Sequence, residues 1–159
     1  MAEIVVARAD LASDVALRLI TALNAQILAR YPEDGATHFD LDLDEVKPGR
    51  GLFVIAWEGE RAVGCGAVRR LSGPGLDNAG EVKRMFVIAE ARGRRIGERI
   101  LDRLETEVRA LGLTRMLLET GERQVEALAL YRRAGFVRIE RFGQYVDSPL
   151  SVCMEKRLD

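Results

Sequence analysis

Arg92-Gly93-Arg94-Arg95-Ile96-Gly97 joins a strand-like segment to a helix-like one, and this junction decides how the chain folds. The segment before it reads Glu81-Val82-Lys83-Arg84-Met85-Phe86-Val87. After it, apolar residues recur at the spacing of one buried helix face, at Ile96, Ile100, Leu104, Val108 and Leu111. A glycine- and arginine-rich turn that opens a helix presents backbone N–H groups and a positive dipole end to an anion. A ligand that carries a pyrophosphate is therefore the first hypothesis.

Length and composition limit the kind of protein that this chain forms. With 159 residues, of which 48% are hydrophobic, it has enough apolar side chains for one well-cored domain over residues 1–159. The formal net charge of −1 argues against a nucleic-acid partner, which normally requires a strongly basic face.

Cysteine and histidine usage argue against a disulfide-bonded protein and against a metal-binding protein. Cys65 and Cys153 lie in apolar, strand-like runs, which is typical of buried, reduced thiols rather than of a disulfide framework. The chain has one histidine and no cluster with metal-ligand spacing, so no metal is expected.

The first residues lack a basic region followed by a long apolar run. We therefore expect a cytoplasmic protein with no membrane partner.

The chain alternates between strand-like and helix-like patterns. Residues 4–7 predict a strand, and apolar residues every four positions predict a helix that runs to about Arg30, with Asp10 or Ser13 as its cap. Further strands are predicted at residues 52–57, 61–71, 81–88, 115–119, 136–140 and 151–156, and a last helix ends at Gly135. The order β-α-β-β-β-α-β-α-β-β predicts an α/β fold with a mixed, mostly antiparallel central sheet flanked by helices.

Three features of residues 81–136 resemble the GNAT superfamily of acyl-CoA-dependent N-acetyltransferases, in its bacterial small-molecule branch. The family's Gln/Arg-x-x-Gly-x-Gly/Ala turn is matched by Arg92 and Gly97. The preceding strand ends at Val87, five residues before Arg92. The pattern Ala-x-x-Leu-Tyr-x-x-x-Gly-Phe is present as residues 127–136. Together these features are specific, although a glycine-rich turn alone would not be.

The resemblance implies that acetyl-CoA binds in the gap between the strand that ends at Val87 and the strand at residues 115–119. Backbone groups would hold the pantetheine arm and the pyrophosphate. The cofactor-binding residues implied in this way are Met85, Phe86, Val87, Arg92, Gly93, Arg94, Arg95, Ile96, Gly97 and Gln124. Two positions depart from the family pattern: Arg95 replaces the first glycine of the turn, and Gln124 replaces an asparagine common in the family.

The three arginines of the turn have an alternative interpretation as a solvated helix start. Cations at a helix N-terminus are unfavourable by roughly 0.3–1 kcal/mol each through the dipole. Phosphate groups would compensate that cost, which favours the binding interpretation.

Two residues are candidates for catalysis. The resemblance makes Tyr131 a general acid, because a phenol near the thioester sulfur can protonate a departing thiolate. Its helical spacing alone favours a core aromatic, and it is the resemblance that favours the acid role. Glu81 occupies the position of a glutamate base in the histone-acetyltransferase branch. It could equally be a strand-end glutamate that faces solvent or pairs with Lys83 or Arg84.

Substrate-facing residues are expected in two irregular segments, residues 31–51 and 142–151, where the candidates are Tyr31, His38 and Tyr145. The acidic residues of the first segment form either a solvated loop or an attractive field for a cationic amine. Phe142 and Tyr145 either line an acceptor pocket or cap the sheet.

The function implied is transfer of an acetyl group from acetyl-CoA to a primary amine of a small molecule by direct attack. A protein lysine or N-terminus as acceptor, and a non-catalytic acyl-CoA sensor, are the alternatives. A nucleotide-phosphate enzyme is poorly supported, because no Gly-x-x-x-x-Gly-Lys-Ser/Thr loop is present. Dimers are common in families of this kind, so a homodimer is a further expectation.

Overall fold

The computed structural model describes residues 3–32 and 42–159. They form seven strands and three α-helices around one sheet. The strands are β1 (Ile4–Ala9), β2 (Gly51–Glu58), β3 (Arg61–Arg70), β4 (Ala79–Val87), β5 (Arg115–Gly121), β6 (Val137–Ile139) and β7 (Ser151–Arg157). The helices are α1 (Asp14–Arg30), α2 (Ile96–Ala110) and α3 (Val125–Arg133). The predicted order and fold class are confirmed.

The sheet order is β1-β2-β3-β4-β5-β7-β6. Within the described ranges β4 and β5 form the parallel pair, and the other neighbours are antiparallel. Helix α1 begins where predicted, because the Ser13 hydroxyl caps it by accepting the Ala16 N–H at 3.2 Å. Strand β1 continues to Ala9, two residues beyond the predicted end, because it pairs with β2 along its whole length.

Alternation along the strands divides the core between the two faces of the sheet. On β2, Val54 packs in the cluster that includes α2 and α3, whereas Phe53 and Ile55 pack against α1. The predicted stripe of α2 is buried from Ile96 to Val108, and Leu111 packs at its margin. The sheet is therefore covered on both faces.

Strands β4 and β5 separate partway along their length. Their pairing runs only from Ala79 with Arg115 to Val82 with Leu118. Beyond this point β4 bulges against β3, and Arg84 has a left-handed backbone with φ of 59°. The remaining part of β4, up to Val87, borders a gap in the sheet. This gap is the origin of the candidate site.

Among the described residues, no helix is both long and apolar enough to cross a membrane.

Candidate active site

A cleft of about 1060 Å³ extends from the gap between β4 and β5 to both faces of the sheet. Its walls come from the second half of β4, the end of β5, the C-terminal part of α1, the turn before α2, helix α3 and the loop before β7. This volume exceeds that of a typical drug-sized pocket, so it has room for a large ligand together with a second, smaller one.

The turn before α2 presents backbone donors at the wall of the cleft. Gly93 and Arg95 both have positive φ, 80° and 62° respectively. The first backbone bond of the helix joins the Arg99 N–H to the Arg95 carbonyl. Among the described residues, the N–H groups of Ile96 and Gly97 have no hydrogen-bond acceptor. Donors of this kind at the positive end of a helix dipole favour an anion such as a phosphate.

The three arginine side chains of the turn point to different places. Arg92 lines the cleft, where its Nε donates to the Val87 carbonyl at 3.1 Å and its guanidinium also bonds to Gln26. Arg95 lines the cleft and is largely exposed. Arg94 is absent from the walls of the cleft and forms an ion pair with Glu58 instead. Only its backbone remains part of the turn.

Gly97 allows α2 and α3 to approach each other closely. A Cβ at this position would lie 2.9 Å from Leu130 Cδ2 on α3. This contact is closer than real Cβ atoms show, so a larger residue would force the end of the Leu130 side chain to move. Gly97 therefore leaves room for Leu130 beside the turn that precedes α2.

Tyr131 lies on α3 and is buried on the sheet face that α2 covers, where its ring packs edge-on to Phe136 with centroids 5.8 Å apart. It also lines the cleft. Burial and, secondarily, the charge of Glu119 raise the pKa of Tyr131. The phenol is therefore protonated at neutral pH and can donate a hydrogen bond. Its burial agrees with a core aromatic, and its place in the cleft wall keeps the role of general acid as a prediction.

Glu81 is fully buried and bound through both of its oxygens. Oε1 accepts from Arg69 Nε at 2.8 Å and from Arg69 Nη2 at 2.7 Å, while the Tyr145 hydroxyl donates to Oε2 at 2.5 Å. The sequence suggested that Glu81 could face solvent or pair with Lys83 or Arg84, but its hydrogen bonds are made with Arg69 and Tyr145. Burial, followed by the charge of Glu81, raises the pKa of Tyr145. Tyr145 thus lines the cleft and supports Glu81 from the loop before β7.

Glu119, on β5, is a cleft residue that the sequence reasoning missed. Its Oε2 accepts from Ser151 Oγ at 2.5 Å. Burial is the largest cause that raises the pKa of Glu119. In the sequence it looked like the end of a buried strand, and only the gap beside β5 turns it toward the cleft.

Tyr31 and Gln124 lie together at another wall of the cleft. The Tyr31 hydroxyl accepts the Arg123 N–H at 2.8 Å, and the Arg123 guanidinium stacks 4.9 Å from the Tyr31 ring centroid. Gln124 precedes α3, and its side-chain oxygen accepts from Arg30. Met85, Phe86 and Val87 border the gap as predicted. His38 lies outside the described residues.

Known proteins resemble this chain over most or all of its length. The sequence model of the Acetyltransferase (GNAT) family matches residues 18–136. An IAA acetyltransferase of Azospirillum brasilense is 41% identical over 158 residues, which cover 99% of this chain and 100% of the relative. A crystal structure from Klebsiella pneumoniae, assigned to the acyl-CoA N-acyltransferases, covers both chains fully with 32% identity and a TM-score of 0.84.

A third likeness bears on the fold. The PaiA N-acetyltransferase of Thermoplasma acidophilum, whose crystal structure contains coenzyme A, has a TM-score of 0.68 at 15% identity and covers 98% of this chain and 99% of that one. The family match spans well over half of the chain, and it includes the turn at residues 92–97 and Tyr131. The chain therefore belongs to the GNAT acetyltransferases, which are acyl-CoA-dependent acyltransferases.

Proposed function

We propose that this acyltransferase moves an acetyl group from acetyl-CoA to a primary amine of a small molecule. The observation that supports this most strongly is the continuity of one cleft from the turn before α2, past Tyr131, to an acceptor chamber, which is the part of the cleft lined by Glu81, Glu119, Tyr145 and Ser151. The Lys83 ammonium lines this part of the cleft together with the two carboxylates. A large polyanionic donor and a small acceptor would thus share one cleft.

The donor would lie along the unpaired part of β4. Backbone N–H groups from Arg92 to Gly97 would hold the pyrophosphate, and backbone groups at Met85, Phe86 and Val87 would bond the pantetheine arm like an added strand. The Val87 carbonyl already accepts from Arg92, which ties the turn to this strand. The thioester would then lie in the gap beside Tyr131.

The reaction would proceed by direct attack without a covalent enzyme intermediate. The amine nitrogen forms a bond to the thioester carbonyl carbon, and the bond from that carbon to sulfur breaks. The departing thiolate takes a proton from the Tyr131 hydroxyl. For an acceptor that arrives as an ammonium ion, the products are the amide, the CoA thiol and one proton that is released to solvent. Two substrates held side by side supply much of the acceleration.

A small acceptor is favoured over a protein by the loop before β7. Tyr145 of this loop and Ser151 at the start of β7 are both buried and line the cleft, which supports a recessed acceptor site rather than a shallow open groove. The Azospirillum brasilense relative is named for IAA rather than for a protein substrate, which agrees with this view.

Release of the CoA thiol from acetyl-CoA tests the proposal. The purified chain is incubated with acetyl-CoA alone, with a low-molecular-weight amine pool, and with a pool of peptides, and the acetylated products are identified by mass spectrometry. We expect thiol release that depends on the low-molecular-weight pool. Release with peptides alone would identify a protein acetyltransferase, and tight binding without release would identify a sensor.

A further inference from the structure

The chamber of the cleft contains two carboxylates in different states. Strand alternation places Glu81 and Glu119 on the α1 face of the sheet, because their neighbours Val82 and Leu118 belong to the core on the opposite face. Glu119 is only partly buried, whereas the side chain of Glu81 is 1% exposed. The two residues are therefore not interchangeable for binding a substrate.

The carboxylate of Glu81 is already neutralised. Arg69 binds one oxygen through two nitrogens, and Tyr145 donates to the other. A further cation at Glu81 would have to displace one of these buried bonds, and a buried partner left unpaired is costly. Glu81 thus holds Arg69 and Tyr145 in place.

Glu119 keeps one carboxylate oxygen available to the cleft. Ser151 donates to Oε2, and Ser148 Oγ lies 2.7 Å from Ser151 Oγ. Among the described residues, no hydrogen bond to Oε1 is found. Ser151 fixes the orientation of the carboxylate without neutralising its charge, and the Lys83 ammonium, which also lines the cleft, favours the charged form of Glu119 against the effect of burial.

Glu119 and the candidate acid Tyr131 line the same cleft from opposite faces of the sheet. Glu119 lies on the α1 face, whereas Tyr131 packs in the core on the α2 face. Burial is the main cause that raises the pKa of Tyr131, and the charge of Glu119 adds to it. A group bound to it would approach the gap from the side opposite to Tyr131.

We infer that Glu119 is the acceptor-binding carboxylate, which pairs with the ammonium group of the amine and then takes its proton. This inference rests on the proposed function and adds to it a cationic acceptor and a base other than Glu81. One N–H bond of the ammonium breaks as an O–H bond forms on Glu119, and the neutral amine then attacks the thioester. Glu119 returns to the carboxylate by passing this proton to water at the mouth of the cleft. After the attack the nitrogen loses a second proton, and this proton restores the hydroxyl group of Tyr131 that protonated the thiolate.

The test compares two probes of equal length, butylammonium and 1-butanol, on the protein saturated with CoA at neutral pH. Binding is followed by NMR titration in the wild type, Glu119→Gln, Glu81→Gln and the exposed-turn control Glu60→Gln. We expect the wild type and Glu60→Gln to bind butylammonium about tenfold more tightly than 1-butanol. Glu119→Gln should lose that preference. Thermal unfolding of each variant shows whether it is folded.

The wild-type comparison decides the inference even where a variant does not fold, because equal binding of the two probes would overturn it. Loss of the charge preference in Glu81→Gln, with its retention in a folded Glu119→Gln, would also overturn it and would favour Glu81. Thiol release from acetyl-CoA with the low-molecular-weight amine pool is measured in parallel. Charge-selective binding that Glu119→Gln abolishes, without thiol release from any pool, would contradict the proposed function while supporting the binding role of Glu119.

Discussion

Tyr131 illustrates how the surroundings of one residue decide its role. Its burial keeps the phenol protonated, while its position in the cleft wall brings it to the gap between β4 and β5. Periodicity could predict the burial of Tyr131 but not the gap, because the gap depends on where two strands that are distant in sequence stop pairing.

The variant Tyr131→Phe removes the proton donor and little else. We expect turnover to fall by about 10²-fold, the usual scale for a lost general acid, with little change in acetyl-CoA affinity. Steady-state kinetics combined with calorimetric titration of acetyl-CoA separates the two effects. Unchanged turnover would exclude Tyr131 as the acid.

Arg95 is strained at the position where the family pattern has glycine. A residue with a Cβ loses about 1–2 kcal/mol of folding free energy at the φ of 62° found here. Glycine avoids this loss, but its greater freedom in the unfolded chain cancels part of the gain. We expect Arg95→Gly to be more stable than Arg95→Ala by up to about 1 kcal/mol in urea unfolding. The two variants share the loss of the guanidinium, so equal stability would show that the turn is not strained.

At the scale of elements, the contact between α1 and β5 shapes one wall of the cleft. Tyr31 follows α1 and packs directly over Gly121 at the end of β5. A Cβ at position 121 would overlap the Tyr31 hydroxyl, which accepts the Arg123 N–H. The sequence showed Tyr31 only as the start of an irregular segment.

The variant Gly121→Ala should displace the Tyr31 ring and break its hydrogen bond. We expect a loss of about 1–3 kcal/mol in the free energy of unfolding. In a double-mutant cycle with Tyr31→Ala, the second change should relieve the overlap, so that the double variant loses less than the sum of the two single variants. Additive losses would argue against the contact.

The sheet and its helices were largely predictable because their patterns are local. The period of α2, the alternation in the strands and the Ser13 cap each lie within a few residues, and each is confirmed. The bulge at Arg84 was not predicted, since it depends on register with β3. Glu119 and the pairing of Glu81 with Arg69 were missed for the same reason, because both arise between distant strands.

Across the whole molecule, both cysteines are buried as expected. Burial raises the pKa of the Cys65 thiol to about 12 and that of the Cys153 thiol to about 11, so that neither forms much thiolate at pH 8.

We expect native protein to resist a thiol reagent at pH 8 and to be labelled at both cysteines in denaturant. Mass spectrometry after timed labelling gives both results. Rapid labelling of the native protein at either site would show that the core opens there. A labelling rate that rises with urea concentration would instead show that labelling follows unfolding of the protein.

Binding of acetyl-CoA at the turn before α2 underlies every role proposed for the cleft, and isothermal titration of acetyl-CoA tests it most directly. The matched variants are Arg92→Ala, whose side chain lines the cleft, and Arg94→Ala, whose side chain pairs with Glu58 outside it. We predict micromolar binding to the wild type, about tenfold weaker in Arg92→Ala and little changed in Arg94→Ala. No binding to the wild type would contradict the account.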